Sequence, residues 1–319
     1  MDASLYTSKM PSQAAFFKVS TLRYSPASPS MQPKYEEKTF ESYFNTELDR
    51  RTSIYFPFGQ VQEGAIGADA SGFSKSRWLW WLLGYPYLLH LPFEGADLRE
   101  VANEMEIHLG QEIRNIPSIK ANLLFQYKRP ELITSTLGSE WPHWNQKYFR
   151  YDIYQEQQAL LSHLASKFGV KALVLYASPA LEDVNDLVDA KKRRRLIENT
   201  NFRPASDLTG HHRNTYIRAG KHSIACSEPE RMKQFDLLAR LEQLENLQPI
   251  DSSELIVQFA KEIRTAAMEN LALGKAYRSE LQGYVEAEIE TFPLLFSIVS
   301  MKIFRELSGI QWVLATNNQ

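Results

Sequence analysis

The sequence predicts an α/β protein whose last third is helical. Two short, almost continuous apolar runs, residues 122–127 and 171–177, have the composition of strands covered on both faces. Amphipathic helical stretches stand before and between them, at residues 34–51 and 154–168. From residue 230 onward the apolar spacing is helical, punctuated by Pro249 and Pro293.

Composition sets the outer limits. The 319 residues are 44% hydrophobic and 23% charged, the balance of a globular chain that buries a core, which excludes a fibrous or largely disordered one. Lys and Arg number 36 and Asp and Glu 38, so the formal charge of −2 excludes a histone-like polycation while leaving room for a local basic groove. One cysteine, Cys226, permits neither an internal disulfide nor a cysteine-based zinc site, and it fits a reducing compartment. The first residues lack a basic segment followed by an apolar one, and apolar runs such as 294–299 fall far short of the roughly 18 residues of a membrane span. The expectation is a soluble cytoplasmic protein with no membrane partner.

In chain order, residues 1–33 hold a possible strand at 14–24 and a Ser- and Pro-rich linker at 25–33. The helix at 34–51 carries Tyr35, Phe40, Tyr43, Phe44 and Leu48 on one stripe. Residues 53–58 and 61–69, β-prone and broken by Pro57, Gly59, Gly64 and Gly67, read as two strands or a hairpin. Residues 71–120 read as an insertion. It contains an aromatic cluster (Trp78, Trp80, Trp81, Tyr85 and Tyr87) that either packs on the core or stacks bases, and a helix at 97–114 stopped before Pro117.

After the 122–127 strand, Trp141, Pro142, His143 and Trp144 form a second aromatic loop. Gly169 closes the next helix. A helix at 181–198 and two strands at 214–218 and 223–227 follow. Met232, Phe235, Leu238, Leu241 and Leu244 keep a helical stripe, and Asp251 with Glu254 forms a capping box for another helix. The chain thus divides into an α/β domain at 34–229 and a helical region at 230–319.

Four residues suit hydrolytic chemistry on phosphodiesters. Asp69 ends a strand in a glycine-rich context, and Gln126 and Lys128, one residue apart on a second strand, share a face. Glu41 lies on the preceding helix. An Asp carboxylate is a hard oxygen ligand for Mg²⁺, and a lysine beside it can engage the attacking water or offset phosphate charge.

The order helix with Glu41, strand ending in Gly-x-Asp69, strand with Gln126-Tyr127-Lys128, helix, strand resembles the PD-(D/E)xK nuclease superfamily in its Gln-x-Lys variant. The matching segments are IGADA at 66–70, LLFQYKRP at 123–130 and the helix–strand pair at 154–179. The resemblance implies a restriction-endonuclease-like αβββαβ core with the 71–120 insertion and a helical C-terminal extension. It implies a Mg²⁺- or Mn²⁺-dependent nuclease, with DNA the expected substrate and restriction or anti-phage defence the expected setting. Asp69, Gln126, the carbonyl of Tyr127 and Glu41 would hold metal, and Lys128 would be the catalytic lysine. Two features depart from the family pattern: Gln stands where the name motif has an acid, and the Asp69–Gln126 separation demands an insertion. They keep open a non-catalytic nucleic-acid-binding or assembly subunit that retains the fold.

Other features are less specific. Lys191, Lys192, Arg193, Arg194 and Arg195 read either as a solvated helix face or, with Arg129, as phosphate contacts. Gln155, Gln157 and Gln158 lie on the helix after the Gln-x-Lys strand, where one of them could hold the site. His211 and His212 are adjacent and make a poor metal pair. There is no Gly-rich phosphate loop of the Walker or dinucleotide type. The helical C-terminal region or the aromatic insertion would mediate self-assembly or binding of a regulatory protein.

Overall fold

The computed structural model describes residues 30–52, 54–55, 98–116, 119–219, 222–244 and 251–316. The strand expected at 14–24, the strand end with Asp69 and the aromatic cluster of 78–87 lie outside them. In chain order the elements are β1 (Ser30–Met31), α1 (Glu37–Thr52), β2 (Ile54–Tyr55), α2 (Leu98–Arg114), β3 (Ile119–Tyr127), β4 (Glu131–Ile133), α3 (Trp141–Trp144) and β5 (Tyr148–Asp152). They continue with α4 (Gln155–Phe168), β6 (Ala172–Pro179), α5 (Val184–Lys192), β7 (Thr200–Pro204), β8 (Arg213–Arg218), β9 (His222–Cys226) and β10 (Glu230–Arg231). The last elements are α6 (Leu237–Glu242), α7 (Ser252–Glu269), α8 (Gly274–Glu286), α9 (Pro293–Ser308) and β11 (Ile310–Thr316).

Two sheets result, so the α/β class holds. The central sheet runs β2-β11-β3-β6-β7. β3 and β6 are parallel, joined through a connection that includes α4, and the other pairs are antiparallel. Alternation along β3 sends Leu123, Phe125 and Tyr127 to a core formed with α1, α5 and α6, and Leu124 to a core formed with α2, α4, α7 and α9. Burial on both faces is why this strand reads as an unbroken apolar run. The second sheet, β1-β4-β5-β8-β9-β10, is antiparallel throughout. Pro130 marks the place where the chain leaves β3 for this second sheet.

The region from residue 230 onward is joined to the central sheet. The C-terminal region ends in β11, which pairs with β3 along its whole length and with β2 on its other edge. Both edges of β3 are therefore taken, by β11 and β6. The helix inside the supposed insertion is equally integral. Ala102, Leu109 and Ile113 of α2 belong to the same core as α9. The Glu106 carboxylate accepts the N–H groups of Leu294 (3.0 Å) and Leu295 (2.8 Å), capping the first turn of α9 from outside. The helices α7, α8 and α9 each bury an apolar face within the chain.

Smaller differences have local causes. The stripe from Met232 to Leu244 yields a helix at Leu237–Glu242, started by the Asp236 side chain accepting the N–H of Ala239 at 3.0 Å. The helix expected at 181–198 stops at Lys192, and Arg194 takes a left-handed conformation (φ 54°). Glu47 of α1 then accepts the N–H groups of Leu196 and Ile197, holding the turn against α1. Beside the second sheet, buried Glu140 receives Arg213 at 2.8 Å and the Tyr148 hydroxyl at 2.8 Å. These donors outweigh burial and hold the carboxyl down at about 2.

Removing β11 by ending the chain at Ser308 should leave no cooperative unfolding transition, as judged by circular dichroism. Trp312→Ala should cost roughly 3–5 kcal/mol in urea unfolding, because a buried indole stacked on Phe259 (5.2 Å) and bonded to Asn122 is lost. Because the Glu140 carboxyl lies below its ordinary 4.5, its contribution is complete above pH 4.5 and fades as pH falls toward 2. Glu140→Gln should flatten the acid limb of a stability–pH curve.

Candidate active site

The C-terminal end of β3 gathers the polar groups. Gln126 and Lys128 emerge on the face covered by α4 and α9, while Tyr127 between them points toward α1. The backbone there is fixed on both sides. The Lys128 N–H donates to the Ala177 carbonyl (3.0 Å), and the Ser178 hydroxyl donates to the Lys128 carbonyl (2.9 Å). The Tyr127 hydroxyl donates to Asn45 Oδ1 (2.7 Å), whose amide donates to Gln311 of β11 (3.1 Å).

Lys128 is 8% exposed. Its Nζ donates to Gln157 Oε1 at 2.6 Å, 4.8 Å from the Tyr154 ring centre and 5.7 Å from that of Tyr176. Of the three candidate glutamines, Gln157 is the one that holds the lysine. Gln158 instead bonds Tyr176 and Ala205, joining α4 to the sheet. Burial lowers the amine from its ordinary 10.5 to about 8, opposed by the carboxylates of Glu37 and Asp152.

Gln126 is equally buried. Its Nε2 donates to the Tyr127 carbonyl (3.1 Å), and its Oε1 has no hydrogen-bond partner among the described residues. Gly309, at the end of α9, packs against this amide and takes φ 72°, a left-handed conformation that favours glycine.

Two carboxylates come from the first turns of α1. Glu37 accepts the Arg129 N–H at 3.0 Å. Burial raises its pKa, helped by Glu41 and opposed chiefly by Lys128. Glu41 is paired with Arg305 Nη2 of α9 at 2.6 Å, both side chains nearly buried.

The structure thus brings Glu41, Gln126, Tyr127 and Lys128 to one end of the central sheet. Asp69 lies outside the described residues. Arg129 turns away from Lys128: its guanidinium reaches the Pro33 carbonyl (2.5 Å) and Glu36 (3.5 Å) at the entry to α1. Lys191, Lys192, Arg193, Arg194 and Arg195 are exposed at the end of α5, where positive charge also suits the helix C-terminus. Lys191 lies over the Tyr43 ring of α1 (3.6 Å), and Arg193 pairs with Asp189.

Three neighbours escaped the sequence reading. Glu37 was findable, one helical turn before Glu41 on the same face. Tyr154 and Arg305 left no such trace, because their place depends on where α4 and α9 pack.

The donor set suits a hard cation in kind: an unpartnered amide oxygen, a backbone carbonyl and carboxylates. Among the described residues no group of three or more His, Cys, Asp or Glu could by itself hold a metal ion. Within the same residues no helix is long and apolar enough to cross a membrane. Comparison with protein-family models, with curated proteins and with solved structures finds no match for the chain.

The depressed amine of Lys128 has a stability signature. Below about pH 8 the folded protein carries the full cost of a buried charge, and between 8 and 10.5 the unfolded chain binds more protons, so stability rises with pH. Lys128→Met should raise stability at pH 7 by up to about 3 kcal/mol and abolish that rise, as read by urea unfolding across pH.

Proposed function

We propose that this protein is a metal-dependent nuclease that hydrolyses phosphodiester bonds, with Lys128 at its centre and DNA as the first substrate to test. The observation that carries the reading is the pairing, on one face of β3, of a buried lysine whose amine titrates near 8 with an unpartnered buried amide oxygen. The restriction-endonuclease-like core is part of this proposal. It is supported by the parallel β3–β6 pair with α4 between them, and by an antiparallel strand on the other edge of β3. Here that antiparallel strand is β11 rather than the one preceding β3.

Gln126, the Tyr127 carbonyl and Asp69 would hold Mg²⁺ or Mn²⁺, with Glu37 and Glu41 at the rim. When bound, the metal would supply Lewis-acid stabilisation of charge on the phosphoryl oxygens. Lys128 is a sizeable fraction neutral near pH 8, so its Nζ can take a proton from the attacking water, while Gln157 fixes the direction of the amine. Lys191 to Arg195 would supply salt-dependent contacts to the backbone. Restriction or anti-phage defence is the setting in which we place such an enzyme.

A second reading is favoured by one observation. Glu41 is engaged by Arg305, and the strand beside β3 begins Ile310-Gln311 without an acid. A subunit that retains the fold and binds nucleic acid without cutting it would have this arrangement.

Purified protein with Mg²⁺ or Mn²⁺ should cleave plasmid, linear or single-stranded DNA. Lys128→Ala and Asp69→Ala should each lower the rate by roughly 100-fold or more while remaining folded. The rate should rise with pH to a plateau above about 8, and Lys128→Arg should remove that limb. Equal cleavage by wild type and Lys128→Ala would overturn the assignment of the site. Binding without cleavage in every variant would establish the second reading.

A further inference from the structure

The geometry points to Tyr154 as the stacking platform for an unpaired base next to the phosphate that Lys128 receives, which makes single-stranded or frayed nucleic acid the substrate class. This rests on the nuclease reading for the role of Lys128 and adds to it the form of the strand.

Tyr154 occupies the N-cap position of α4 in extended conformation (φ −82°, ψ 129°) and makes no capping hydrogen bond. Ser, Thr, Asp and Asn are the residues that stabilise a helix from that position, so the ring is not there for the helix. Nor is it there for the core: Tyr154 is 60% exposed, whereas Tyr127, Tyr148, Tyr176 and Tyr216 at the surrounding strands are buried. One part of the ring covers Lys128 Nζ at 4.8 Å, and the rest faces solvent.

This placement constrains what approaches the amine. Of Tyr154, Tyr176 and Gln157, which all lie against Lys128, Tyr154 is the exposed one, so a phosphate approaching Nζ on that side brings its nucleotide along the Tyr154 ring. Inside a duplex both faces of a base are covered by its neighbours. An unpaired base has a free face, and stacking on an aromatic side chain is tolerant of sequence.

The charges around the ring favour the same partner. Burial, helped by Asp152, Glu131 and Glu37, raises the pKa of Tyr154, so the phenol stays neutral across the working range and offers a base an uncharged ring.

The test is a short single-stranded oligonucleotide carrying 2-aminopurine, titrated with full-length protein in Ca²⁺, beside the same sequence as a blunt duplex. Quenching should accompany binding of the single strand to wild type and to Tyr154→Phe. Tyr154→Leu should bind about 10-fold more weakly with the quench lost, and should show a raised KM in the cleavage assay. Duplex binding should be unaffected by either change. Single-strand affinity and quench identical in wild type and Tyr154→Leu, with cleavage still dependent on Lys128, would overturn the stacking role and leave the nuclease standing. Failure of every form to bind either strand would overturn both.

Discussion

The structure depends on the pairing of β3 with β11. Segments far apart in the chain meet in this ladder, with Ile310 opposite Gln126 and Ala315 opposite Ala121. The pairing gives the central sheet its middle and commits α9, which leads directly into β11, to the face on which Gln126 and Lys128 emerge. With α9 come Arg305, which neutralises Glu41, and Gly309, which lets the chain turn close to the Gln126 amide. α2 is drawn in by the same requirement, since Glu106 satisfies the first N–H groups of α9. A site that looks local in sequence is therefore assembled by the last strand.

Within that frame, burial determines the chemistry. A lysine at the exposed end of a strand would be an ordinary cation. Covered by Tyr154, Tyr176 and Gln157, Lys128 loses much of the hydration that stabilises its charge, and its amine comes within reach of neutrality near physiological pH. Glu37 and Asp152 limit the shift, and without them burial would carry it further. The same low-dielectric setting makes Glu41 need Arg305, because an unpaired carboxylate at that depth would be costly.

The elements most legible in the sequence were those whose surroundings leave a periodic or compositional mark. β3 and β6 are buried on both faces, so their apolar runs are unbroken. α1 and α4 cover one face each, so Phe40, Phe44 and Leu48, and Leu160, Leu161 and Leu164, recur at helical spacing. Alternation alone placed Gln126 and Lys128 on a common face. The short strands β4, β5 and β7 were not legible. Their residues include Arg150, Asp152, Asn201 and Arg203, whose polarity conceals a strand unless the hydrogen-bonded partners Asp152–Arg213, Arg150–Glu131 and Asn201–Asn214 are known.

What the sequence determined by itself, then, was the class of the fold, the main helices and buried strands, and the Gln-x-Lys pair with its shared face. What only the tertiary structure decided was the neighbour of β3, the pairing of Glu41 with Arg305, the choice of Gln157 among three glutamines and the position of Tyr154 over the lysine. The physical reason is one of range. Periodicity records which side of an element is covered, and it does so within a few turns or strand residues. It carries no record of which distant segment does the covering, because a strand such as Ile310–Thr316 offers the same backbone donors and acceptors to any edge, and its partner is selected when the helices on both faces find room to pack.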